Sequence, residues 1–359
     1  MSKKSLAFVV CTLLTLTGPA FASGTSTSSA GGTWTTTASM ATPRSYVTAT
    51  PLANGRVLAV GGAEVMTAEL YDPATASWLP AGTLSEPAGI HVAVRLADGR
   101  VLVAGGGWYS TRAEIYNPAT NSWSRTGNMN VGRIAFTGTL LRNGRVLVVG
   151  GNSIGGVQAS AELYDPATGR WTLTGSLRTP RSDQTATLLP NGTVLVAGGS
   201  NSSGWPRTAE VFDPSRGRWT RTGSMTTARE RATATLLGNG RVLVAGGGNP
   251  SATTSAELYD PASGSWSATG SMTSYHPLGA SALLQDGRVL VAGYSSGDVY
   301  SPATGTWTAT GSMVDPGLYA SAAALLPNGQ VLYVGGRRDF YCGQYLCSED
   351  TAHAELFTP

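Results

Sequence analysis

Asn54-Gly55-Arg56-Val57-Leu58-Ala59-Val60-Gly61-Gly62, followed by Ala68-Glu69-Leu70-Tyr71-Asp72-Pro73 and then Trp78, decides the fold. Asn-Gly tolerates the positive φ of a type I′ hairpin, so one strand enters this turn and an apolar one leaves it antiparallel. The glycine pair ends that apolar strand. A third strand runs to Asp72-Pro73, which opens a turn, and Trp78 lies on a fourth. The unit returns six times, with apolar strands at Arg100–Gly106, Arg145–Gly151, Thr193–Gly199, Arg241–Gly247, Arg288–Tyr294 and Gln330–Gly336. Successive first glycines stand 44, 45, 48, 48, 47 and 42 residues apart.

Seven repeats of four antiparallel strands predict an all-β, seven-bladed β-propeller. Repeats built from helices would need a 3.6-residue period, which is absent. A lone fourth strand around Thr33–Thr37 precedes the first unit, and the seventh unit stops after its third strand at Pro359. The N-terminal strand is therefore expected to complete blade seven, closing the ring, removing the open edge and making the domain whole. The propeller is placed at residues 33–359, after a Ser/Thr/Gly-rich linker at 23–32.

Composition agrees. Charged residues are 13 %, apolar residues 41 %, and there are 47 glycines, which suits strands and tight turns. Residues 1–22 read as a signal peptide: Lys3 and Lys4, an apolar run Leu6–Leu16, then Ala20-Phe21-Ala22 before a cut near Ser23. The apolar run is shorter than the roughly 20 residues a span needs. The expected location is thus secreted or periplasmic. Lys3 and Lys4 are the only lysines, so the mature chain would carry 22 arginines against 21 acids. That balance, with no basic run, gives no reason to expect nucleic acid or an anionic membrane as partner. Cys342 and Cys347 remain after cleavage, and an exported chain predicts a disulfide between them.

Residues shared by every blade are most simply structural. One acid sits on each third strand: Glu69, Glu114, Glu162, Glu210, Glu257, Asp298 and Glu355. Buried charge persists only when paired, so each is expected to be hydrogen-bonded within its blade. Trp34, Trp78, Trp123, Trp171, Trp219, Trp266 and Trp307 are expected to fill the spaces between blades. The copies differ in the fourth-to-first and second-to-third connections, which share one face, and function gathers on such loops. Arg44, Arg133, Arg181 and Arg229 open their blades there, with His276 at the same place in blade six. They read either as a rim for an anionic or hydroxyl-rich ligand or as braces between blades. Tyr46, His91, Asp183, Arg231, Tyr275 and Tyr319 lie nearby, and Trp205 stands in a Gly/Ser loop where it could stack on a sugar ring. The longest loop is Arg337–Ala352.

A glycine pair, then Tyr, then Trp is the kelch signature, and the chain resembles that family over nearly all its mature length. The last repeat is similar to the propeller of galactose oxidase, a copper radical oxidase: Tyr319-Ala320-Ser321, Leu325 to Val331, Gly335-Gly336, Cys342, Cys347 and Ala354 to Pro359 carry the likeness. The resemblance implies a copper-ligating tyrosine at Tyr319 and a ligating histidine at the next position. Alanine stands there instead, and alanine cannot bind copper. The family's other histidine comes from a domain after the propeller, and its Tyr-Cys cross-link has no matching cysteine. No catalytic residue, metal site or cofactor is therefore expected. The favoured expectation is a monomeric recognition module binding a glycan or a protein on one loop face. The alternatives are a sugar-modifying enzyme, of the galactose oxidase kind or resembling the kelch sialic-acid mutarotases, and a structural envelope or matrix protein.

Overall fold

The computed structural model describes residues 31–248, 251–342 and 345–359. The segment read as a signal peptide and most of the expected linker lie outside the described residues. Seven four-stranded antiparallel sheets stand around one axis. Blade one comprises Thr48–Pro51, Val57–Val60, Thr67–Asp72 and Ser77–Thr83. The next five follow the same plan, beginning at Val92, Thr137, Thr185, Thr233 and Ala280. Blade seven takes Ala322–Leu325, Val331–Val334 and Ala354–Thr358 from the end of the chain. Its outermost strand is Thr33–Thr36, paired antiparallel so that Trp34 lies opposite Phe357.

The strand sequences follow from position. First strands converge on the axis, where room is short, and they hold small residues such as Thr185-Ala186-Thr187 and Ala322-Ala323-Ala324. Second strands are covered on both faces and are apolar at every residue, as in Val57–Val60 and Val194–Ala197. The core is therefore divided among the interfaces between blades. Leu58, Val60 and Leu70 of blade one pack with Val101, Val103 and Tyr116 of blade two. Val57, Ala59 and Tyr71 pack on the other side with Leu332 and Val334 of blade seven, which joins last to first.

The tryptophans hold neighbouring blades together, as their recurrence predicts. Trp171 Nε1 donates to the Gly127 carbonyl at 2.7 Å, and Trp219 to Gly175 at 2.7 Å, each reaching into the preceding blade. Trp34 reaches Thr310 Oγ1 of blade six at 3.0 Å. In blades one to six the third-strand Tyr or Phe meets the tryptophan of its own blade at 4.9–5.2 Å between ring centres. Such pairs add about 0.5–1.5 kcal/mol beyond burial.

Three connections on the varied face are elaborated. Asn152–Ser153 pairs with Gly156–Val157, and Ser200–Thr208 forms an irregular loop. Arg337–Cys342 and Tyr345–Asp350 form a hairpin in which Cys342 is bonded to Cys347. The two cysteines are thus joined, as the sequence predicts.

Candidate functional site

The segment entering each blade is pinned by that blade's acid. Glu162 accepts the Asn130 and Val131 amides at 2.7 and 3.0 Å, and Glu210 those of Arg178 and Thr179. Glu69, Glu257, Asp298 and Glu355 do the same in their blades, and Glu114 accepts the amide and the hydroxyl of Ser85. In blades one, three, four and five an arginine completes the arrangement. Arg133 Nη2 meets Glu162 at 2.8 Å, while its Nη1 donates to the Gly150 and Ser160 carbonyls. Arg44–Glu69, Arg181–Glu210 and Arg229–Glu257 repeat the contact at 2.9, 3.3 and 3.1 Å.

These pairs correct the expectation of an arginine rim. Arg44, Arg133, Arg181 and Arg229 are 0–1 % exposed. Burial pushes their guanidinium groups below the ordinary value, and each glutamate opposes that shift. Both terminal nitrogens of each guanidinium are bonded within its own blade, and the group is enclosed, so these arginines brace the blades rather than face the mouth. A mutarotase-like grip on a carboxylate sugar loses its arginines in the same way. His276 is buried too, with Nε2 2.8 Å from Asp298 and Nδ1 3.0 Å from the Gly293 carbonyl. It takes the arginine's place in blade six. His91 is enclosed, with Nε2 2.9 Å from Thr48 Oγ1.

Two residues beyond each brace position the backbone turns left-handed. Tyr46, Ile90, Ala135, Asp183, Arg231, Leu278 and Ala320 have φ between 47° and 58°, one in each blade. A non-glycine residue there costs of order 1 kcal/mol or more, so a full set marks a geometry the fold imposes. Adjacent blades join at these residues. Asp183 N donates to the Ala135 carbonyl at 2.9 Å, Arg231 N to Asp183 at 2.9 Å, and Tyr46 N to Ala320 at 2.8 Å. They form a collar around the channel mouth.

A pocket of about 360 Å³ opens on this collar between blades five, six and seven. Arg231 and Leu278 of the collar line it, with Glu230, Tyr275, Tyr294, Tyr319 and Asp339. Arg231 Nε meets Asp183 Oδ1 at 3.1 Å. Burial works against the Arg231 charge, but Asp183 and Glu230 hold the group above its ordinary value. Tyr319 donates its hydroxyl to Asp339 Oδ1 at 2.8 Å, and burial together with that carboxylate pushes the phenol up to about 12. Burial also raises Tyr275, against the pull of Arg231.

Of the expected residues, then, Arg231, Tyr275 and Tyr319 meet in one pocket, with Asp183 as the arginine's partner. Tyr46 lines a second cleft of about 820 Å³ across the mouth, beside Ile90, Trp108 and Tyr109. Trp205 is half-exposed on the loop of blade four and lines neither space. Glu230, Tyr294 and Asp339 went unsuspected. Tyr294 had a visible signal: it stands where every other repeat has the second glycine, and it keeps the left-handed backbone at φ 66°.

The copper ligands implied by the resemblance do not fit these residues. Tyr319 keeps its proton on a bond to Asp339, and Ala320 presents a buried methyl group. His91 and His276 are turned into the blades, and His353 Nε2 is 2.9 Å from Glu355. Among the described residues no three His, Cys, Asp or Glu side chains gather as a metal site.

The Kelch motif matches residues 91–130, 184–226 and 232–273, on blades two, four and five. No curated protein matches the chain. Among solved structures the chain is similar to a novel fungal alcohol oxidase with catalytic diversity among the AA5 family, in complex with copper. The two share 20 % identity with a TM-score of 0.77, over 91 % of this chain and 76 % of that one. At that identity the likeness is one of fold. The chain is thus a seven-bladed β-propeller in which three blades match the Kelch motif.

Proposed function

We propose that the chain is an exported recognition module that takes a glycan unit into the mouth pocket between blades five, six and seven. The observation that carries this reading is the convergence of Tyr275, Tyr294 and Tyr319 with Arg231, Glu230 and Asp339 around one space of about 360 Å³. Ligand pockets of some 300–1,000 Å³ combine apolar walls with a few placed polar groups. Aromatic rings cover the C–H faces of a sugar, while carboxylates and guanidinium meet its hydroxyls in paired fashion. The bonded cysteines agree with an oxidising compartment, and so does the leader-like N-terminal sequence.

The test is a glycan array followed by titration calorimetry on the hits. At least one glycan is expected to bind at micromolar to millimolar Kd, with affinity at least tenfold lower in Tyr275→Ala/Tyr294→Ala. An array without hits, or hits indifferent to that double variant, would remove the pocket from consideration.

A protein partner is a second reading, supported by the hairpin 337–350. Phe340, Tyr341, Tyr345 and Leu346 are exposed there on a disulfide-closed turn. Aromatic residues of this kind anchor protein interfaces.

A further inference from the structure

The mouth pocket has a charge imbalance. Three charged side chains line it: Glu230, Arg231 and Asp339. The arginine is shared: its Nε lies 3.1 Å from Asp183, and Glu230 also acts on its charge. Neither Glu230 nor Asp339 belongs to an ion pair among the described residues. Asp339 receives only the Tyr319 hydroxyl. Two further arginines of the hairpin have acids of their own: Arg337 lies 3.7 Å from Asp350 while also acting on Tyr319, and Arg338 lies 3.0 and 2.6 Å from Asp315 and Glu349. Asp183, Glu230 and Asp339 thus surround the single guanidinium of Arg231, which leaves an excess of negative charge in a recess walled by three tyrosines.

The tyrosines strengthen this bias. Tyrosine rings attract a cation through the negative potential of their faces, by about 0.5–2 kcal/mol according to how dry the site is. Tyr275 and Tyr319 are both held above the ordinary phenol value, so they add no negative charge of their own, and the Tyr319 hydroxyl donates its hydrogen bond to Asp339. Tyr294 occupies the place that is glycine in the other six repeats, in a left-handed backbone that favours glycine. A ring is displayed there despite a local cost, which points to use of the ring.

We propose that the mouth pocket selects an amine-bearing sugar, with its ammonium group between Glu230 and Asp339 and against the tyrosine rings. This rests on the glycan reading and narrows it: a neutral sugar satisfies the hydroxyl-binding groups but leaves the excess negative charge in place, and an acidic sugar is repelled by it.

The experiment is calorimetry on the full chain with glucosamine oligosaccharides, their N-acetylated counterparts and uronic-acid oligosaccharides of equal length. It is run at a pH where the free amine is charged, at low and at high salt. The free-amine form is expected to bind at least tenfold more tightly than the N-acetylated form, and the margin should shrink at high salt. Glu230→Gln/Asp339→Asn should bring the ratio close to one while leaving the thermal midpoint unchanged. Glu64→Gln, on the second cleft, should leave the ratio alone. Equal affinity for the free and acetylated forms overturns the inference while leaving the glycan reading in place. Tighter binding of the uronic acids overturns it as well. Absence of binding by all three removes both.

Discussion

Each blade brace is a buried pair whose members were read separately in the sequence. Deleting one member leaves an uncompensated charge in the interior, which costs about 3–5 kcal/mol. Arg133→Ala and Glu162→Ala should each lower stability by that amount in urea denaturation, whereas Arg133→Ala/Glu162→Ala should cost less than the sum of the two. Additive losses would mean the pair is not coupled. His91 gives a pH test. Burial pushes its imidazole from 6.5 down to about 4. The unfolded chain therefore takes up the proton first. The stability from this group is whole above pH 6.5, declines as pH falls towards 4, and is lost below that, about 3 kcal/mol in all. Between those limits His91→Gln should lose stability less steeply than the parent, and parallel curves would show that His91 is not the titrating group. Tyr294→Gly should relieve a left-handed residue and raise stability by about 1 kcal/mol while weakening sugar binding.

The arginine positions were legible, but their direction was not. Counting along the chain places Arg133 two residues before the collar, and nothing in that count says whether its side chain turns to the mouth or into the blade. Blade six held a clue, because arginine and glutamate change there together to His276 and Asp298. A shorter base accompanied by a shorter acid is what a direct contact requires. The collar itself was invisible, since its residues share a backbone angle and no side-chain chemistry: Tyr46, Ile90, Ala135 and Asp183 have nothing else in common.

At the scale of elements, the hairpin 337–350 stands apart from the ring. Its strands pair only with one another, and it joins the mouth through the Tyr319–Arg337 bridge and the Tyr319–Asp339 hydrogen bond. Cys342→Ser/Cys347→Ser should therefore leave the thermal midpoint of the ring within about 2 °C while accelerating hydrogen exchange and proteolysis across 337–350. A fall of many degrees would show that the hairpin supports the blades. The strands, by contrast, could be read almost completely from the sequence. Asn-Gly and Asp-Gly turns, glycine pairs and Asp-Pro turns each impose a local backbone geometry, and that geometry recurs seven times.

For the whole molecule, the seventh blade is the seam. It is the one sheet built from both ends of the propeller, with Thr33 opposite Thr358 and Thr36 opposite Glu355. Trp34 is buried there against Tyr333 and Phe357. Trp34→Ala should cost about 3–5 kcal/mol, and hydrogen exchange should rise first in blade seven and its neighbours. Protection that falls uniformly around the ring would mean that the seam is no weaker than any other interface. The count of blades and the closing strand were both visible as repeats out of phase with the chain ends. The pocket was not, because it depends on which loops of blades five, six and seven meet in space.

The same seam sets an order of events during synthesis. Thr33 emerges from the ribosome early, and its partner Thr358 more than three hundred residues later. At about 5–20 residues per second the first strand waits for tens of seconds beside a row of unfinished blades. Until blade seven forms, the face of blade one that carries Val57, Ala59 and Tyr71 and the exposed face of the newest blade both lack a neighbour. Successive blades accumulate as an open arc with two apolar ends, and the circle closes only when the strand Ala354–Thr358 is made and can pair with Thr33–Thr36.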